Sequence, residues 1–276
     1  MKKTFKTLAL AGALVLSSVG LVACGGDDKA LVDVQGNYVA ASETKVNVDE
    51  YFAKLDNEPK GQNYKISMKM SMESSDAGTT SSVTMKGVGH VSEVDGFDIS
   101  FDASVKMEGE GVSINQKAEG KIYYDIAESR VYASTNESGE TVKFYTDVKD
   151  GAGVGDAVNL PLDEGYFTVN GVKDAITALG LDAEVSVCET EDNVKIKYTG
   201  ENGTFYIVFD TQGEFVGARC EFTVAMSTGD GDSTISVAIP TMSVVTEVVR
   251  TNEKVAKLSD AEKAQYSPKS QIKMGA

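Results

Sequence analysis

Side chains able to do chemistry are scarce in this chain. His90 is the single histidine, so any Ser–His–Asp or Cys–His arrangement would have to run through it. It alternates with Thr84, Lys86 and Val88, which reads as an exposed position on the wet face of a strand. One histidine and the cysteines Cys188 and Cys220 fall short of a four-ligand zinc set. No Gly-rich loop joins a strand to a helix, so a nucleotide site has no support. Asp230-Gly231-Asp232 and Glu189-Thr190-Glu191-Asp192 carry oxygens that Ca²⁺ accepts, but neither has the ligand ladder or distal Glu of an EF-hand. Both read as hairpin turns. Asp98 and Asp102 share a strand face, as a carboxylate pair would, yet Ser100 and Ser104 share it too and a solvated face explains all four. The sequence therefore implies no enzyme, no metal and no cofactor.

The chemistry that does stand out is apolar contact. Met68, Met70, Met72, Met85 and Met107 fall in three neighbouring strand-like runs, five of the nine methionines in the chain. Flexible, polarisable thioethers suit surfaces that accept varied apolar partners. With Ile66, Ile99, Phe101 and Ile114 they would line one trough on a curved sheet. The alternative is ordinary core, covered by helices and by the other half of the chain. Cys188 and Cys220 admit two readings as well. A disulfide closing about 32 residues would contribute roughly 3–4 kcal/mol, whereas Cys220, in register with Ala218, Phe222 and Val224, also suits a buried free thiol.

The first 24 residues carry a specific pattern. Lys2, Lys3 and Lys6 form a positive start, and Leu8 to Val19 is apolar, broken only by small residues. That is the anatomy of an export signal, too short for a membrane span. It ends in Leu21-Val22-Ala23-Cys24, followed by Gly25-Gly26, which resembles the lipobox of bacterial lipoproteins. The resemblance implies cleavage after residue 23, a lipid such as palmitate carried on Cys24, and a protein held at the outer face of the cell membrane. Two or three acyl chains, at about 0.8 kcal/mol per buried methylene, anchor stably where one would not. The Gly-rich start is more similar to Gram-positive lipoproteins than to outer-membrane ones.

Without the leader, 23 Lys+Arg face 42 Asp+Glu, a net charge of −19. That field repels phosphate backbones, so nucleic acid is not an expected partner. The apolar fraction of 41% fits a folded protein, and 27 Gly, four Pro and no Trp lean towards strands and tight turns.

Tyr64 to Met72 and Phe97 to Met107 alternate strictly between apolar and polar, the habit of antiparallel strands with one wet face. Asp95-Gly96, Glu110-Gly111, Ser138-Gly139, Asn202-Gly203 and Gln212-Gly213 mark turns between such runs. The pattern predicts strands near 64–73, 82–92, 97–108, 111–124, 130–134, 141–148, 184–189, 193–199, 204–210, 214–227 and 233–246. Asn47 can cap a helix through Leu55, and Asn170 a second over 171–179. A weak third helix reads at 259–265. The fold class expected is mainly β (α+β): a long-stranded, curved antiparallel sheet or half-barrel of about eleven strands with two or three short helices. The boundaries read as a signal peptide over 1–23, a lipid anchor and flexible spacer over 24–44, the curved β domain over 45–250 and a solvated basic tail over 251–276.

An export leader, a helix, long alternating strands, a central helix and further strands resemble the lipoprotein-localisation-factor family and its mycobacterial lipid-carrier relatives. The likeness spans most of residues 45–246. It implies an unclosed half-barrel holding acyl chains. The function expected is a membrane-anchored, extracytoplasmic lipoprotein that binds an acyl chain or other apolar ligand in a half-barrel trough. The alternative is a non-enzymatic surface module that meets a cell-surface protein or wall partner.

Overall fold

The alternating runs become strands wherever they were expected among the residues that the structure describes. The computed structural model describes residues 30–55, 61–76, 79–92, 94–109, 112–137, 139–148, 184–225 and 241–268. The leader with Cys24, the Glu110-Gly111 turn, the helix expected over 171–179, Asp230-Gly231-Asp232 and residues 233–240 lie outside them.

The four strands β2 (Asn63–Asp76), β3 (Thr79–Ser92), β4 (Gly96–Gly109) and β5 (Val112–Asp125) are 14 residues each. With β6 (Arg130–Glu137) and β7 (Glu140–Asp147) they form one antiparallel meander. A second meander follows: β8 (Glu184–Glu189), β9 (Asn193–Gly200), β10 (Gly203–Asp210), β11 (Phe215–Ala225) and β12 (Thr241–Thr251). The two fuse because β12 pairs along β2, from Thr241↔Glu73 to Thr251↔Asn63. Two-residue strands sit at the edges, β1 (Val39–Ala40) on β8 and β13 (Ser267–Pro268), the one parallel member, on β7. Among the described residues the result is a single 13-stranded curved sheet whose two edges do not pair with each other, so it stays unclosed. Eleven strands are long, as the alternation predicts. The last is described over Thr241–Thr251 and so runs past the expected end at 246, because the Val244–Val249 stretch continues the ladder.

Register sorts the side chains into two faces. On the apolar face, Tyr64, Ile66 and Met70 of β2 meet Val91, Gly89 and Met85 of β3, which meet Phe97, Ile99 and Ala103 of β4. Helix α1 (Val48–Leu55) covers this face over β8–β10. Its Phe52 is 1% exposed and packs with Val187, Ile196, Ile207 and Phe209. Rings of Phe209 and Tyr198 stand edge-on to it at 6.4 and 5.9 Å. Burying such a ring contributes about 1.5–3 kcal/mol. Lys54 fixes the other end of α1 by donating to the Gln212 carbonyl at 2.6 Å. In that turn Gly213 has φ +81°, and a Cβ there would collide with the Lys54 side chain.

Within the expected spacer and tail, residues 30–38 and 252–266 pack on the polar face. Residues 30–38 lie over β9–β12. Val32 is 3% exposed and seats on Gly217, where an added Cβ would come within 3.0 Å of it. Residues 252–266 lie over β3–β6 and lead into β13 at the β7 edge. Val255 is buried among Tyr123 and Tyr132, with Leu258 and Tyr266 beside it. The short helix α2 (Asp260–Lys263) starts with a Ser259–Glu262 capping box. A tail holding one apolar anchor and several charge partners does not stay in solvent.

Candidate functional site

Every residue of the expected trough that carries a described side chain sits on the apolar face. Ile66 and Ile99 join Phe97, Ile122, Tyr124, Val131 and Ala133 in one cluster, with Met68 and Phe101 packed against it. Met70 and Met85 join Ala103 and Val244 in the next, with Met68, Phe222 and Met242 around them. Met72 lies opposite Val83 and Met242, and Met107 lies opposite Ile114. The face grades along its length. Ile66, Met70, Met85 and Ile99 are buried, while Met68, Met72, Phe101, Met107 and Ile114 keep part of their surface open. Glycines make this face uneven. Phe101 lies between Gly87 and Gly120 on the flanking strands. A Cβ on Gly120 would meet the Phe101 ring at 2.2 Å, so the ring occupies the space that a side chain there would need.

The polar face holds the charged chemistry. His90 is half-buried under the tail and not an exposed strand residue. Its Nδ1 is 3.0 Å from Asp98 Oδ1 and its Nε2 is 2.7 Å from Glu253 Oε2. The His90 amide donates to the same Asp98 oxygen, and the Ala256 amide donates to the other. Hydrogen bonds from His90 and then Lys65 hold the Glu253 carboxyl below its usual range. Farther along, Lys263 reaches Asp125 at 2.5 Å and Glu128 at 2.6 Å. Burial raises the Asp125 carboxyl, but the Lys263 bond and the Glu128 and Ala127 amides bring it net below the ordinary value. Glu128 is lowered by Lys263 and by the Tyr132 hydroxyl. These groups spend their hydrogen bonds on holding the tail.

Over the second meander, Lys195 is 3% exposed and donates to Asp33 Oδ2 at 2.8 Å and to the Gln35 carbonyl at 2.7 Å. Glu247, also 3% exposed, accepts from Ser67, from Arg219 and from the Val32 amide. Alternation alone places Lys195 in solvent. The signal for Glu247 is present in Val244-Val245-Thr246-Glu247-Val248-Val249, where both parities are apolar and both faces must therefore be covered. Between residues 30–38 and β9–β11 lies a cavity of about 730 Å³, reached by Tyr38, Lys197, Tyr206 and Arg219. A notch of about 610 Å³ lies at the far ends of β2–β4, between Glu73, Ser82 and Lys106.

Cys188 and Cys220 are both free. Cys188 pairs with Lys195 on the polar face and Cys220 with Phe205 on the apolar face, so the sheet itself separates the thiols. Asp102 stands opposite Lys86. Glu189 ends β8 and Thr190 to Asp192 form the β8–β9 turn, closed by Thr190 and Asn193.

No protein-family model and no curated protein matches the chain. Among solved structures it is similar to a DUF1329 family protein from Desulfovibrio piger, at 11% identity over 77% of this chain and 93% of that one, with a TM-score of 0.17. A likeness that loose carries no argument about function. Among the described residues no helix is long and apolar enough to cross a membrane.

Proposed function

We propose that the chain is a lipid-anchored, extracytoplasmic protein, tethered through Cys24, whose open sheet takes an acyl chain or similar apolar ligand against the methionine end of the apolar face. The observation carrying this reading is the partial exposure of Met68, Met72, Phe101, Met107 and Ile114 beside the buried Ile66, Met70, Met85 and Ile99 of the same face. No covalent step is required, since each methylene removed from water contributes about 0.8 kcal/mol. Native mass spectrometry of the chain with membrane lipid extract tests it. A stoichiometric adduct lost in a Met72→Glu/Met107→Glu double variant that still folds supports it, and a clean apo mass at every lipid concentration overturns it. For the anchor, a palmitate analogue should label the wild type and not Cys24→Ser.

One observation favours a second reading. Thr223, Ser243, Ser71, Thr84 and Ser104 stand opposite one another across five strands of the polar face. Such a hydroxyl row suits a wall polymer or protein partner, and sedimentation with purified cell walls tests it.

A further inference from the structure

The cavity under the N-terminal segment has a floor set by strand register. Lys197 on β9, Tyr206 on β10 and Arg219 on β11 lie directly opposite one another. Tyr206 is thus flanked by a cation on each side, one strand spacing of about 5 Å away. Tyr38 stands at the end of the cavity, its ring edge-on to Tyr206 at 6.0 Å, with its hydroxyl spent on the Val34 carbonyl. Lys197 Nζ lies 5.7 Å from the Tyr38 ring centre and has no carboxylate partner among the described residues. Arg219 is oriented by Glu221 through Nε at 2.5 Å and by Glu247 through Nη1 at 3.0 Å, which leaves Nη2 as the uncommitted donor. The roof is anchored by Lys195 on Asp33, by Val32 on Gly217 and by the Val32 amide on Glu247, the carboxylate that also holds Arg219 of the floor. A buried lysine committed to holding an exposed aspartate is a costly way to fix a loop unless the position of that loop matters.

We propose that this cavity is a binding site for a small organic monocarboxylate carrying a flat ring, with the carboxylate on Lys197 and Arg219 and the ring over Tyr206 and Tyr38. Charge selects a monoanion. Lys195 and Arg219 are already paired with Asp33, Glu221 and Glu247, which leaves Lys197 as the one cation of these three without a carboxylate among the described residues, enough to take one negative charge; the molecule as a whole is strongly acidic, so a multiply charged phosphate meets more repulsion than attraction. Tyrosine rings add contact area for a planar body, which a bare anion does not use. The site lies on the opposite face of the sheet from the apolar ligand proposed above, and it stands or falls separately.

Titration calorimetry and saturation-transfer NMR on the full-length chain would use benzoate as the probe, with benzyl alcohol matching the ring and inorganic phosphate matching the charge. Benzoate is expected to bind, and both comparison compounds to bind at least about tenfold more weakly, as expected when a charge-assisted hydrogen bond or a ring contact is lost. Lys197→Met should weaken benzoate by a similar factor with an unchanged melting curve, and Lys197→Arg should restore it. Absence of benzoate binding, equal binding of benzyl alcohol or phosphate, or wild-type affinity in a folded Lys197→Met overturns the proposal.

Discussion

The Cys220 thiol sits among Phe205, Thr246 and Ala218 on the apolar side of β11, and burial, assisted by the neighbouring Glu221 charge, pushes it up to about 11. Thiolate is the reactive form, so at pH 8 its alkylation should run about 100-fold slower than that of an ordinary exposed thiol. Intact mass before and after denaturation checks this in a Cys24→Ser chain: no rapid labelling when native, two labels when unfolded. A mass two hydrogens lower with no labels when unfolded would mean a disulfide, contrary to the opposite faces of the two cysteines. At Gly120 the expected outcome is steric. Gly120→Ala should displace the Phe101 ring and cost about 1–3 kcal/mol, measured by urea unfolding. Phe101→Leu in the same background should recover part of that loss, since it removes the atoms that collide.

At the scale of an element, the C-terminal strap makes a pH prediction. Glu253, Asp125 and Glu128 are all held below their ordinary values in the folded state. Docking is therefore fully supported above the ordinary carboxylate range and is lost as pH falls through the lowered values, below about pH 4. Hydrogen exchange of residues 252–268 between pH 3 and 7 should show the strap loosening on the acid side only. Lys263→Met should loosen it at neutral pH, at a cost of about 1–3 kcal/mol for a partly buried ion pair. This strap is also where sequence reading stops short. The long strands were legible because one wet face imposes a strict period of two, as in Tyr64 to Met72. Residues 30–38 and 252–268 have no period to betray them, for each contributes one buried valine, Val32 or Val255, and otherwise acts through ion pairs between residues far apart in the chain. His90 shows the same limit: alternation assigns the face of a residue and is silent on what crosses that face. The methionine face was legible as a set, since parity alone places its members together. Its graded exposure depends on the register of β12 against β2, which no local pattern encodes.

For the molecule as a whole, the β12–β2 ladder makes two meanders into one sheet with a continuous apolar side, which includes Val244 beside Met70 and Val248 beside Ile66. Unfolding in urea should therefore be a single transition seen alike by far-ultraviolet circular dichroism and tyrosine fluorescence. Val244→Asp, which places a charge in the seam, should lower stability by several kcal/mol and is the substitution most able to split that transition in two.

That same ladder sets a problem of timing during synthesis. β2 ends at Asp76, whereas its partner β12 starts only at Thr241, so the hairpins from β3 to β11 are made before one side of β2 can be satisfied. Throughout that interval a 14-residue edge rich in methionine offers its backbone groups to any other emerging chain. A ribosome or export channel that releases this protein slowly thus prolongs the period in which wrong strand exchange competes with completion, and truncation anywhere before residue 241 leaves a product that is sticky by construction.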